Sequence, residues 1–191
     1  MTKMPLFIDQ ISASISPISE LRLEQVDGLR PAAVLMPLLN EDGLWKLLYI
    51  HRANSGGVHS DQVSFPGGGM EPGDMNLIDT ALRETEEEIG IPRKAVNVLG
   101  FLPSTISVTR YHVTPIVGIV DWPQRMILDE REVSGVFTIE VNWLANPNNW
   151  QEREVVLPIR GKTKSIFFDE YKGEVLWGLT ARMTLNLFKQ V

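Results

Sequence analysis

The sequence predicts an α/β (α+β) fold in which a mixed sheet lies between helices. Three observations predict it. Short apolar runs bounded by turn residues recur along the chain, and only two segments, far apart, carry a strong helical pattern. With 191 residues of which 43% are apolar, the chain can bury a sizeable core as one domain.

Residues 1–30 show no strand alternation. Ile8, Ile11, Ile15 and Ile18 recur every three or four positions, which predicts a short amphipathic helix broken near Pro17 in an extension that packs on the core, the domain proper being 31–191. "PAAVLMPLL" (31–39) and "WKLLYIHR" (45–52), joined by the turn-forming "NEDG", read as a strand pair. After a glycine-rich loop, residues 75–90 hold strong helix formers with apolar Leu77, Ile78, Ala81, Leu82 and Ile89, and Gly90 stands where a helix would stop. "VNVLGFL" (96–102), "YHVTPIVGIV" (111–120), "GVFTIEV" (135–141), "EVVLPI" (154–159) and "SIFFDEY" (165–171) read as strands, with "NPNNW" (146–150) as a loop. "EVLWGLTARMTLNLF" (174–188) reads as a closing amphipathic helix.

Composition excludes several classes. Eighteen Lys and Arg against 24 Asp and Glu give a net charge of -6, the wrong sign for tracking an extended nucleic acid. A small anionic ligand remains compatible, because a metal ion or an arginine reverses the field locally. There is no cysteine, and His51, His59 and His112 are dispersed, so neither thiolate chemistry nor a histidine-rich metal site is expected. No run has the length of a membrane span or of a signal peptide's apolar core, so a soluble cytoplasmic protein is expected.

The chemistry concentrates in "SFPGGGMEPGDMNLIDTALRETEEEIGI" (64–91). At about 100° per residue, with Glu84 at zero, Glu87 falls near 300° and Glu88 near 40°, so three carboxylates share one sector beside the apolar stripe. Glu86, near 200°, points away with Asp79 and Arg83. Like charges one turn apart destabilise a helix, and partial burial adds to the cost, so a compensating divalent cation with oxygen ligands is one reading. A solvated acidic face is the other. The preceding glycines let backbone approach a ligand closely. The loop is not a P-loop, which needs a Lys-Ser/Thr pair, and no nucleophile elbow is present.

The string from Gly68 to Ile91 resembles the signature of the Nudix hydrolases: a glycine, an acidic residue, then Arg-Glu-aliphatic-x-Glu-Glu-x-Gly-aliphatic, here Arg83, Glu84, Thr85, Glu86, Glu87, Glu88, Ile89, Gly90, Ile91. Eight positions before Arg83, where the pattern has Glu, stands Met75; a one-residue insertion makes Asp74 the counterpart. That insertion, with Ser64-Phe65-Pro66-Gly67-Gly68 ahead of it, resembles the coenzyme A pyrophosphatase branch, as do 31–38, 112–120 and 177–181. Of the branch motif before the glycines, Arg52 is kept, while Ile50, Ala53, Gly57 and Asp61 stand where Thr, Ser, Arg and Gly are expected.

The resemblance implies a Nudix-type α/β/α sandwich and hydrolysis of a nucleoside diphosphate linked to another group, with Mg2+ or Mn2+ as cofactor. Coenzyme A or its derivatives are the implied substrates; another nucleotide derivative, such as a nucleotide sugar or ADP-ribose, is the alternative, and a catalytically silent ligand-binding module is the rival from a different class. Glu84, Glu87 and Glu88 are implied as metal-binding and catalytic residues, with the Gly68 carbonyl as a further ligand. Arg83 is implied as the residue that orients a glutamate. Arg52 is a candidate for substrate phosphate, as are Gly67 and Gly68 through their backbone, and Phe65 either stacks on a base or packs in the core. The general base is assigned to a helix glutamate, with Glu132 as the candidate outside the helix. Many members of the family pair, so a homodimer is a further expectation.

Overall fold

The computed structural model describes residues 4–53, 62–157 and 161–188. In chain order its elements are α1 (Met4–Ser14), β1 (Arg30–Glu41), β2 (Leu44–Arg52), β3 (Val63–Ser64), β4 (Gly67–Gly69), α2 (Leu77–Ile89), β5 (Val96–Phe101), β6 (Thr105–Ile106), β7 (Tyr111–Val120), β8 (Val133–Glu140), the short α3 (Val141–Leu144), β9 (Trp150–Leu157), β10 (Gly161–Phe168) and α4 (Gly178–Phe188).

β1 organises the sheet. It runs parallel to β7 from Arg30↔Tyr111 to Leu38↔Ile119. Its other edge is shared: the C-terminal part pairs β2 and the N-terminal part pairs β4, both antiparallel. The β1–β2 turn places Asp42 (φ 53°) and Gly43 (φ 83°) in the left-handed region, as a tight hairpin requires. β2 then pairs β8 and β3, while β5 and β6 pair β7, completing an eight-stranded mixed sheet; β9 and β10 form a separate hairpin.

Both faces of β1 are buried, which is why its sequence is an apolar run rather than an alternation. Ala32, Met36 and Leu38 join Tyr49, Phe65 and Val117 under Ile11 of α1 and Ala181, Leu185 and Phe188 of α4. Ala33 and Leu35 face Leu77 and Ala81 of α2, and Leu39 meets Ile89 and Ile91 in the adjoining cluster. The sheet therefore lies between α2 and the α1/α4 layer, the architecture the sequence predicts.

Several boundaries differ from expectation: the strand expected at 165–171 spans Gly161–Phe168, and the one expected at 135–141 spans Val133–Glu140, with Val141 opening α3. α1 ends at Ser14, and Ile18 is 42% exposed on a separate 3-10 turn. The strand expected at 154–159 begins at Trp150, the last residue of the expected loop, and its last two expected residues lie outside those described. The closing helix starts at Gly178: residues 171–174 form a tight turn with Tyr171 and Glu174 bonded to each other's carbonyls, and Leu176 and Trp177 then bridge back to Phe168 and Phe167 of β10. Among the described residues no helix is long and apolar enough to cross a membrane.

Candidate active site

α2 starts where Asn76 caps it, its side chain accepting from the N–H groups of Ile78 and Asp79, and it stops at Gly90, φ 73°. These two ends fix which side chains face the sheet. Leu77, Ala81 and Ile89 are buried, and so are Thr80, Thr85 and Glu88. Glu88 is a carboxylate on the buried side of the helix, 2% exposed.

The glycine strand explains how that is tolerated. Gly67 donates its N–H to Glu88 Oε2 at 2.8 Å. A side chain at Gly67, φ 150°, would meet the Ala33 carbonyl at 2.4 Å, and one at Gly68 would meet the Glu84 carboxylate at the same distance. At Gly67 a side chain would run into the backbone of β1, and at Gly68 it would displace the Glu84 carboxylate, so glycine suits each position for a different reason.

Strand alternation assigns the backbone groups. Leu35 N–H donates to the Pro66 carbonyl and Met70 N–H to the Pro31 carbonyl, so in the register Ala33↔Gly68 the N–H and C=O of Gly68 are directed to Ala33. The expectation that the Gly68 carbonyl serves as a ligand is therefore corrected. The outward groups belong to Gly67 and Gly69. The Gly69 carbonyl accepts from Arg83 Nη2 at 3.1 Å, which leaves the Gly67 carbonyl at the edge where its N–H holds Glu88.

Arg83 is the hub of the site. Nε and Nη2 bond Asp74 Oδ1 and Oδ2 at 2.8 and 3.0 Å, and Nη1 lies 2.9 Å from Glu87 Oε2 and 3.0 Å from Glu84 Oε1. Asp74 is itself buried and accepts from Thr80 Oγ1 at 2.9 Å and Glu71 N–H at 2.8 Å. Arg83 above all, by hydrogen bonding, holds the Asp74 carboxyl well below the usual carboxylate range. Met75, next in sequence, is 84% exposed. Arg83 thus leaves the side of the helix where projection puts it with Glu86, because its long side chain reaches back over the turn. Glu86 and Asp79 instead pair with Arg93. Glu86→Gln is expected to change kcat/KM by less than about twofold, since an exposed pair contributes little; a larger loss in a steady-state assay would place Glu86 in the site.

The three glutamates that share a sector in projection separate in space. The Glu84 and Glu88 side chains are 15% and 2% exposed, whereas Glu87 stands at the rim, 60% exposed, against Arg83. Among the described residues no three acidic or histidine side chains stand close enough to hold an ion as they are placed. The residues nevertheless fit one. Glu88 Oε1 is buried with no hydrogen-bond partner, its nearest cation being Arg52 Nη1 at 3.7 Å. Burial first, then the charges of Glu84 and Glu132, push the Glu88 carboxyl up to about 8 against the pull of Gly67 N–H and Arg52. Burial likewise raises Glu84, aided by Glu87 and Glu132. An orphaned carboxylate oxygen beside repelling carboxylates is the electrostatic complement of a cation.

Arg52 and Glu132 meet this site from the β2–β8 pair. The register shifts between His51 and Arg52, and Ala53 N–H donates to the Glu132 carbonyl at 2.8 Å, which places both residues on the Glu88 side. Phe65 does not belong to it: the ring is 1% exposed and stacks on Tyr49 at 4.8 Å, so a base has no access to it and its role is packing. Of the substituted branch positions, Ile50 is fully buried, and Gly57 and Asp61 lie outside the described residues. Sequence reading names Gly67 for substrate and not as a carbonyl ligand, and it misses Thr80 and the outward carbonyl of Gly69. The two-residue period of the glycine strand could have separated Gly67 and Gly69 from Gly68; nothing in the sequence points to Thr80.

A sequence model of the NUDIX domain matches residues 29–158. The uncharacterised Nudix hydrolase NudL of Yersinia pestis (strain Pestoides F) is 38% identical over 162 residues, covering 85% of this chain and 80% of that protein. Among solved structures, a MutT/nudix family protein from Enterococcus faecalis superposes with a TM-score of 0.53 at 15% identity, covering 100% of this chain and 70% of that one. The C. elegans Ap4A hydrolase gives 0.51 at 18% identity, over 58% and 80% of the two chains.

Proposed function

The chain belongs to the Nudix hydrolase family, and we propose that it is a Mg2+- or Mn2+-dependent pyrophosphohydrolase acting on coenzyme A or its derivatives, giving 3',5'-ADP and phosphopantetheine. The observation that carries the reading is the two-point contact of Arg83 with Asp74 rather than Met75. It supports the one-residue insertion on which the resemblance to the coenzyme A branch rests. The same proposal takes 31–191 as the hydrolase domain and 1–30 as its extension, in a cytoplasmic homodimer.

Glu84, Glu87 and Glu88, with the Gly67 carbonyl in place of that of Gly68, would hold the divalent ion. Bound there, the ion screens the charge of adjoining phosphates and acidifies water. Arg83 restrains Glu87 and Glu84 so that neither carboxylate drifts. Arg52, one-third exposed and already facing Glu88, offers a fork of donors to a phosphate oxygen. Proton removal from the attacking water falls to a helix glutamate, with Glu132 as the competitor whose charge is felt by both Glu84 and Glu88.

The test is a panel of coenzyme A, ADP-ribose, nucleotide sugars and dinucleoside polyphosphates with Mg2+ or Mn2+, products identified by mass. Release of 3',5'-ADP from coenzyme A is expected. Turnover confined to another compound moves the enzyme to the alternative substrate class, and none at all supports the binding module.

A further inference from the structure

The glycine strand has two faces, and the catalytic reading uses one. Gly68 turns towards Glu84, whereas Gly69 turns the opposite way. A Cβ at Gly69 would lie 3.3 Å from Tyr111 Cε1 and 3.7 Å from its hydroxyl. Tyr111 sits on β7, two strands away from β4, with β1 between. Its ring reaches this position because the strands it passes carry small residues on that face, Ala32 paired with Gly69. Arg30, the β1 partner of Tyr111, lies over the ring at 4.2 Å.

Arg30 is exposed and has no carboxylate partner among the described residues. In a chain of net charge -6 such an arginine, held on an aromatic face beside the backbone of the candidate active site, has its charge available to a ligand. Among the described strands β4 is paired only to β1; on its outer edge Glu88 takes the Gly67 N–H and Arg83 the Gly69 carbonyl, which leaves the Gly67 carbonyl facing outward beside the carboxylates. A substrate lying along that edge has the α2 carboxylates on one face of the strand and Arg30 with Tyr111 on the other. Arg52 stands on the carboxylate face with Glu88, so an oxyanion that reaches Arg30 is a different one.

We propose that Arg30, seated on Tyr111, binds a phosphate of the nucleotide substrate outside the scissile diphosphate. The inference rests on the proposed pyrophosphohydrolase reading and narrows its substrates to nucleotides bearing a further phosphate. Tyr111 is a positioning residue: with its ring covered by the guanidinium, it supports Arg30 rather than stacking on a base.

Calorimetric titration of the whole chain with adenosine 3',5'-bisphosphate, and with AMP for comparison, tests this without turnover. The wild type is expected to prefer the bisphosphate. Arg30→Ala is expected to weaken bisphosphate binding about tenfold or more while leaving AMP within about twofold, with Arg30→Lys intermediate, as for loss of a charged hydrogen bond. Tyr111→Leu is expected to fall between Lys and Ala, with thermal denaturation reporting whether it folds. Equal binding of the bisphosphate by wild type and Arg30→Ala, equal weakening of both ligands, or no saturable binding to wild type overturns the inference. Coenzyme A turnover by a wild type that binds the bisphosphate independently of Arg30 sinks the inference and keeps the pyrophosphohydrolase reading. Arg30-dependent binding with no turnover of any panel compound keeps the phosphate subsite and sinks that reading.

Discussion

Glu88→Gln is expected to lower kcat about 100-fold or more, as loss of a charge that stabilises a transition state does, and yet to stabilise the metal-free protein at alkaline pH. Both effects come from burying a carboxylate. Its folded value is raised from 4.5 to about 8, chiefly by burial. Below about pH 4.5 the group is neutral in both folded and unfolded chains and imposes no cost. Between there and about pH 8 the folded state binds the extra proton, so stability falls as pH rises, and above pH 8 a penalty on the order of a few kcal/mol stays in place. The amide of Gln is neutral throughout, and its carbonyl still accepts from Gly67 N–H. In EDTA the variant and wild type should therefore melt together near pH 4.5 and diverge towards pH 9, the variant being higher. Added Mg2+ should raise the wild type and move the variant less. Full activity in the variant, or a melting difference independent of pH, would remove the role given to Glu88.

The legible and illegible parts of this site differ in kind. The position and ends of α2 follow from local chemistry: helix formers, an apolar stripe and a glycine stop act within a few residues, and sequence shows them. The division among Glu84, Glu87 and Glu88 does not, because projection on a circle treats all side chains on one sector alike. What separates them is the glycine strand, which contacts two of the three and leaves Glu87 to Arg83. The reach of Arg83 to Asp74 spans nine residues through a loop whose length sets the contact, so the spacing suggests a counterpart and the loop path decides it. Sequence singles out the Gly68 carbonyl, whereas strand register turns the Gly67 carbonyl outward instead, since a shift of one residue exchanges which backbone groups face outward. Phe65 stands beside the glycines in sequence, but its ring packs in the opposite layer, stacked on Tyr49.

Asp74→Asn is expected to be the most damaging change that preserves shape. The side chain keeps its size, but one oxygen becomes an NH2 that confronts the guanidinium, and Arg83 is left partly buried with its principal counter-charge gone. Breaking such a pair on one side costs about 3 kcal/mol or more. Turnover should also fall by about tenfold or more, because Arg83, released from Asp74, no longer holds Glu87 and Glu84 in place, and displacement of reacting groups by an ångström is costly. The acid limb gives the sign. Since Asp74 is held below its unfolded value of 3.8, its contribution is fully present above that pH and is lost as pH falls through the lower folded value. The gap between wild type and variant in urea denaturation should therefore be widest at pH 7 and close progressively below about pH 4. Adding Met75→Glu to the variant should restore nothing, because position 75 faces solvent. Recovery of activity in that double variant would mean that residue 75, and not Asp74, is the true partner of Arg83, and the insertion supporting the coenzyme A reading would fall with it.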